Sequence, residues 1–187
     1  MRFIFWMTYL VWIGGEIGLV LRELDKPSGA NMDRGSRRFV ATAITISIIV
    51  AFLLRAYAPM ARIAPPTLLL IGSGLVLMWL GMALRYWSVW ILGRHFRTTV
   101  MLQADHDLIS RGPYRALRHP AYSGSLLTFI GLGLVLDNWL SLTLLIVGPL
   151  TGFVRRIRVE DATLAAYFGE RYAAYRSHTW SLVPGLW

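Results

Sequence analysis

Residues 120–153 read PAYSGSLLTFIGLGLVLDNWLSLTLLIVGPLTGF, and Asp137 is their only charged residue. The run is too long and too apolar for a surface helix, and each crossing of a bilayer needs roughly 20 apolar residues. It divides naturally at Asp137-Asn138 into one segment from Pro120 to about Leu136 and another from Trp139 to about Phe153. Only those two polar residues separate the halves, so they must fold back on each other as a helical hairpin.

Working outward, three more apolar stretches precede the hairpin. They cover about Phe3 to Leu21, about Phe39 to Tyr57, and from after Pro65-Pro66 to about Trp90. The first is a membrane span rather than a signal peptide, since it has one Arg, a long apolar run and no small-residue cleavage site. The chain of 187 residues is 56% hydrophobic, with a mean hydropathy of +0.52. The predicted fold is therefore all-α: a polytopic membrane protein of about five transmembrane helices followed by a C-terminal cytoplasmic amphipathic helix. That last helix is read over Val159 to Arg176, with Leu164, Phe168, Tyr172 and Tyr175 at near-helical spacing on one face. Gly169 weakens it or ends it early, Pro184 stops the segment, and Trp180, Leu182 and Trp187 suit the membrane interface. The whole chain, 1–187, reads as a single domain, with three N-terminal spans in 1–92 and a polar loop, the helical hairpin and the C-terminal helix in 93–187.

The net charge of +9 would fit nucleic acid, but in a membrane protein it reflects topology and contact with anionic lipid headgroups. Fifteen cations lie on one side: Arg22, Lys26, Arg34, Arg37, Arg38, Arg94, Arg97, Arg111, Arg115, Arg118, Arg155, Arg156, Arg158, Arg171 and Arg176. Three lie on the other: Arg2, Arg55 and Arg62. The N-terminus is thus expected outside and the C-terminus in the cytoplasm, in the inner membrane if the source is prokaryotic. With no cysteine, thiolate nucleophiles and Cys-based metal sites are excluded. The histidines at 95, 106, 119 and 178 lack metal-ligand spacing, so neither a metal nor a nucleic-acid partner is expected.

Chemistry concentrates in two places on the cytoplasmic side. Pro120 reads as the first residue of a helix, where a missing N–H costs nothing, and His119 before it is pushed into extended geometry. Such a helix start, with Tyr114, His119 and Tyr122 around it, suits a phosphate or carboxylate, although an ordinary interfacial helix start would look similar. Arg156 and Glu160, four apart, share a helix face. They are either a surface salt bridge or the wall of a partly desolvated pocket. Arg85 reads as a snorkelling cation or another wall of the site. Glu16, within the first span, is protonated, paired or part of a substrate passage.

Two motifs in order carry a family resemblance. HxLxxxGxYxxxRHPxYxG spans His106 to Gly124, and RxxxE(E/D)xxLxxxFGxxYxxY spans Arg156 to Tyr175, with a late Pro184. Over residues 85–185 the chain resembles the isoprenylcysteine carboxyl methyltransferase family. The resemblance implies an S-adenosylmethionine-dependent methyltransferase that releases S-adenosylhomocysteine and takes a lipophilic or lipidated substrate from among the membrane lipids. It places cofactor contacts on His106, Asp107, Leu108, Ile109, Tyr114, His119, Pro120, Ala121, Tyr122 and Glu160. It assigns Arg156 to the substrate carboxylate, making Arg156 and Glu160 the catalytic pair. Tyr114 or Tyr122 would face the sulfonium. Asp161 stands where the family has Glu, and the family's upstream Gln falls near Met101 or Gln103 without a settled register. A phospholipid amine or a thiol is the alternative acceptor, and would need Glu160, His119 or His106 to take a proton. An NADPH-dependent sterol-reductase-like enzyme needs more spans than this length provides. A non-catalytic scaffold would have no reason to keep two polar constellations on one side.

Overall fold

The computed structural model describes residues 1–24, 35–63, 68–93 and 108–187. Among them lie six α-helices and no strand: α1 (Arg2–Leu24), α2 (Ser36–Tyr57), α3 (Leu68–Leu92), α4 (Pro120–Val135), α5 (Trp139–Phe168) and α6 (Glu170–Ser177). Four of these, α1, α2, α3 and α5, are long and apolar enough to cross a membrane. At 16 residues α4 is shorter, about 24 Å at 1.5 Å per residue against a hydrocarbon core of about 30 Å. Large apolar side chains such as Phe3, Leu10, Ile49, Leu69 and Trp90 point outward, as they must when the solvent is lipid. The chain is an integral membrane protein with the expected all-α, polytopic fold.

The hairpin is present, and its turn is better built than a bare pair of polar residues. Asp137 takes a positive φ of 52°. Asn138 caps α5, its side-chain oxygen accepting from the Ser141 N–H at 3.0 Å. The Asn138 amide also donates to the Ala58 carbonyl at 3.0 Å, tying the turn to the end of α2.

One expected boundary is corrected. The fifth span and the tail helix are not separate, because α5 runs unbroken for 30 residues, about 45 Å. The apolar run ends near Phe153, but Arg, Glu and Ala are good helix formers and nothing there stops the helix. It stops at Gly169, whose φ of 53° and ψ of −126° suit glycine alone, and α6 follows in a new direction. Leu182 is corrected as well: it is buried in the core rather than placed at the interface.

Helices α3 and α4 pack closest, with α2 against α5, α4 against α5, and α1 laid across the rest through its aromatic face. Trp6 stacks on Phe52 of α2, and Trp12 meets Phe129 of α4 edge-on at 5.4 Å. The α3–α4 seam is built from reciprocal glycines. A Cβ on Gly124 would sit 2.6 Å from the Gly81 carbonyl oxygen, and one on Gly81 2.5 Å from that of Gly124. Gly74 and Gly131 repeat the arrangement at 2.7 and 2.5 Å. Small residues are how membrane helices approach each other where no hydrophobic effect drives them together.

Substituting Gly124→Ala should therefore cost about 1–3 kcal/mol through overpacking against backbone that cannot yield. Gly14→Ala, whose added methyl meets nothing within 4 Å, should be tolerated. Thermal unfolding in detergent distinguishes the two, and equal melting temperatures would contradict this seam.

Candidate active site

His119 stands at the entrance of α4, held there by its backbone. The segment before it pairs with the chain beyond α6. The Arg118 N–H donates to the Trp180 carbonyl at 2.7 Å, the His119 N–H to that of Ser181 at 3.1 Å, and the Trp180 N–H to that of Ala116 at 2.9 Å. The Ser123 hydroxyl adds a 2.6 Å bond to the Leu182 carbonyl. The Arg118 guanidinium donates to the carbonyls of Arg176 and Thr179, and the Tyr175 hydroxyl donates to the Tyr114 carbonyl at 2.8 Å. Burial pushes the Tyr175 phenol up to about 12, so it stays a donor at neutral pH.

Within this frame the imidazole of His119 lies between two consecutive carboxylates of α5. Its Nε2 is 2.7 Å from Asp161 Oδ1, and its Nδ1 is 3.3 Å from Glu160 Oε2. Burial alone would lower the His119 pKa, but the hydrogen bonds and charges of Asp161 and Glu160 outweigh it and raise the value above normal. Each ring nitrogen thus faces a carboxylate, an arrangement that favours the protonated ring. Glu160 Oε1 accepts from the Tyr122 hydroxyl at 2.6 Å and from Arg156 Nε at 2.7 Å. Arg156, 2% exposed, also donates to the Ser36 hydroxyl at 3.0 Å. Asp161 Oδ1 accepts from the Tyr172 hydroxyl at 2.6 Å, and its Oδ2 is 3.9 Å from Arg118 Nε. The rings of His119, Tyr122 and Phe153 stack in sequence, 5.9 and 5.0 Å apart.

The structure thus brings Arg156, Glu160, His119 and Tyr122 together, with Pro120 and Ala121 buried in the same turn and Tyr114 buried beside it. Leu108 and Ile109 lie in irregular backbone, half-buried. His106 and Asp107, with Met101 and Gln103, fall outside the described residues. Arg156 and Glu160 do make their i,i+4 pair, yet in a buried network rather than on a surface helix. The helix start has fewer open donors than expected, since the Tyr122 and Ser123 N–H groups both bond to the His119 carbonyl and Pro120 has none. Glu16 is paired with Arg85 at 2.5 and 2.6 Å.

Ser36, Asp161 and Tyr172 were not singled out as site residues. Ser36 lies in the basic 34–38 cluster, which reads from sequence as a solvated or lipid-headgroup face. Tyr172 fits the apolar face of its helix equally well. Asp161 could have been found, because a carboxylate next to Glu160 on a helix leaving the membrane needs a cation, and His119 is available.

The raised His119 pKa predicts a pH dependence of stability. The gain from the imidazolium is fully present below its unfolded value of about 6.5 and is lost as pH rises through the higher folded value. The melting temperature should fall on raising the pH above neutrality, and His119→Gln should flatten that fall. An unchanged slope in the variant would contradict the clasp.

A family model described as phospholipid methyltransferase matches residues 69–171. A probable protein-S-isoprenylcysteine O-methyltransferase of Oryza sativa subsp. indica is 34% identical over 113 residues, 59% of this chain and 59% of the relative. The protein-S-isoprenylcysteine O-methyltransferase of Schizosaccharomyces pombe is 32% identical over 107 residues, 50% of this chain and 45% of that one. A solved eukaryotic intramembrane Ras methyltransferase, isoprenylcysteine carboxyl methyltransferase, shares the fold with a TM-score of 0.66 at 26% identity. That match covers 78% of this chain and 52% of the other. The chain therefore spans about half the length of these relatives. The matched segment takes in the α3–α4 seam, the His119 turn and both carboxylates of α5, and the chain belongs to the phospholipid methyltransferase family, within which it resembles the isoprenylcysteine carboxyl methyltransferases.

Proposed function

We propose that this protein is a membrane-embedded, S-adenosylmethionine-dependent methyltransferase that esterifies the carboxylate of an isoprenylcysteine-like lipidated acid. The observation that carries the reading is the buried Arg156–Glu160 pair set against Tyr122 and His119 at one end of the helix assembly. The relatives that this chain resembles are named for methyl transfer to isoprenylcysteine.

The donor set fits the cofactor. Glu160 spends its Oε1 on Tyr122 and Arg156 and only part of its Oε2 on His119, so a carboxylate 21% exposed keeps acceptor capacity for a hydroxyl or amine. Tyr114, His119, Pro120, Ala121, Tyr122 and Glu160, with His106, Asp107, Leu108 and Ile109, would hold it. Bound S-adenosylmethionine supplies an electrophilic sulfonium methyl. The residues then have to orient rather than activate, because an ionised carboxylate is already a nucleophile and needs no proton removed. Arg156 is the group suited to that carboxylate, through a charge-assisted and geometrically fixed contact. Arg156 is 2% exposed, and the acceptor, its prenyl tail resident in the bilayer, would reach it from the membrane side. The cation asymmetry of the loops supports a cytoplasmic site with the N-terminus outside.

The test is labelled-methyl transfer to a prenylcysteine acid in liposomes. Arg156→Lys should reduce kcat/KM for that acid by about 10- to 100-fold, the worth of a charged hydrogen bond. The KM for S-adenosylmethionine should stay within about twofold of wild type. Loss of cofactor affinity in step with turnover would reduce Arg156 to a prop for Glu160. Full turnover with an amine acceptor would overturn the carboxylate reading.

A further inference from the structure

The Glu16–Arg85 pair lies outside the network just described, between α1 and α3. Burying an ion pair within a membrane bundle is expensive, and α1 does not need it to dock on α3. Trp79 already donates to the Thr8 hydroxyl at 3.2 Å, Tyr86 donates to the Trp12 carbonyl at 3.3 Å, and Trp12 is seated on Phe129.

What Arg85 adds is reach to a third helix. Glu16 takes Nε at 2.5 Å and Nη2 at 2.6 Å, a two-pronged contact that fixes the plane of the guanidinium. The remaining nitrogen, Nη1, then faces α4 and donates to the Ala121 carbonyl at 3.4 Å. Ala121 lies between His119 and Tyr122, two of the residues that face Glu160. The backbone of Arg85 borders the same turn: a Cβ on Gly124 would meet the Arg85 nitrogen at 2.7 Å.

We infer that Arg85, oriented by Glu16, is a positioning residue that sets the His119–Tyr122 turn against Glu160. It acts through the Ala121 carbonyl and touches neither cofactor nor acceptor. The consequence for the cofactor rests on the methyltransferase reading above, whereas the consequence for the turn does not.

Two readouts are therefore combined. Hydrogen–deuterium exchange is followed over residues 119–124 and, as a reference, over 139–150. S-adenosylhomocysteine affinity is measured in parallel. Arg85→Lys keeps a cation opposite Glu16 but not the planar fork, so exchange over 119–124 should rise about tenfold with the reference unchanged. Affinity should weaken by a similar factor. Arg85→Gln should exceed both effects, and Glu16→Gln, which leaves the guanidinium free to turn, should reproduce the Arg85→Lys pattern. Exchange over 119–124 unchanged in Arg85→Lys and Arg85→Gln would overturn the inference. So would a rise spread evenly over α1, α3 and α4, since that is mere loosening of the bundle. If the wild-type protein fails to bind S-adenosylhomocysteine, the methyltransferase reading falls and the exchange result alone decides the role of Arg85.

Discussion

A buried histidine ring held between two neighbouring carboxylates is the constraint on which the rest of this site depends. Glu160 and Asp161 are consecutive on one helix, so their side chains diverge, and a single group lying between them must donate in two directions. The two ring nitrogens of His119 face the two carboxylates, whose charges favour the protonated ring that can donate to both. Each carboxylate then has acceptor capacity left for one further set of partners: Tyr122 and Arg156 on one side, Tyr172 on the other. Four segments distant in sequence are tied together in this way: the turn into α4, the projecting end of α5, the start of α2 through Ser36, and α6. Removing the histidine would leave Glu160 its Arg156 partner but Asp161 only Arg118 at 3.9 Å, so the loss falls mainly on the partly buried Asp161.

That clasp is precise only because the helices beneath it are. Glycine against glycine along α3 and α4 leaves no room for a shift of either helix, and Asn138 fixes the other end of α4 to both α5 and α2. The far end of α4 is held by the pairing of residues 116–119 with 180–181. A short helix with both ends fastened is a good platform for the proposed orienting site, in which geometry rather than acid–base chemistry would set the rate. The 45 Å length of α5, about half as long again as the hydrocarbon is thick, carries Arg156 and both carboxylates to the bilayer margin. On the proposed function, a lipid-borne acid and a water-borne cofactor would meet there.

Much of this was legible in the chain. Apolar runs and the Asp137-Asn138 punctuation revealed the spans and the hairpin, because helix length in a bilayer is dictated by its thickness. The two motifs pointed to Arg156, Glu160, His119 and Tyr122 together. The continuity of α5 past Phe153 was not legible, since an end of hydrophobicity looks the same whether or not the helix ends there. Ser36 was hidden because nothing local distinguishes a buried hydroxyl from a solvated one. The Glu16–Arg85 pair left separate marks, a carboxylate and a guanidinium each out of place in a span. Only the packing of α1 on α3 shows that they answer each other.

The central claim, that the His119 turn and Glu160 wall one cofactor pocket, is tested most directly by thermal shift with S-adenosylhomocysteine. At about 100 times its Kd, a ligand bound only by the folded protein adds about 2.7 kcal/mol of stability. The wild-type melting temperature should rise accordingly, while His119→Ala and Glu160→Ala should remain folded and lose the rise. A full shift retained in both variants would contradict the account and place the pocket elsewhere.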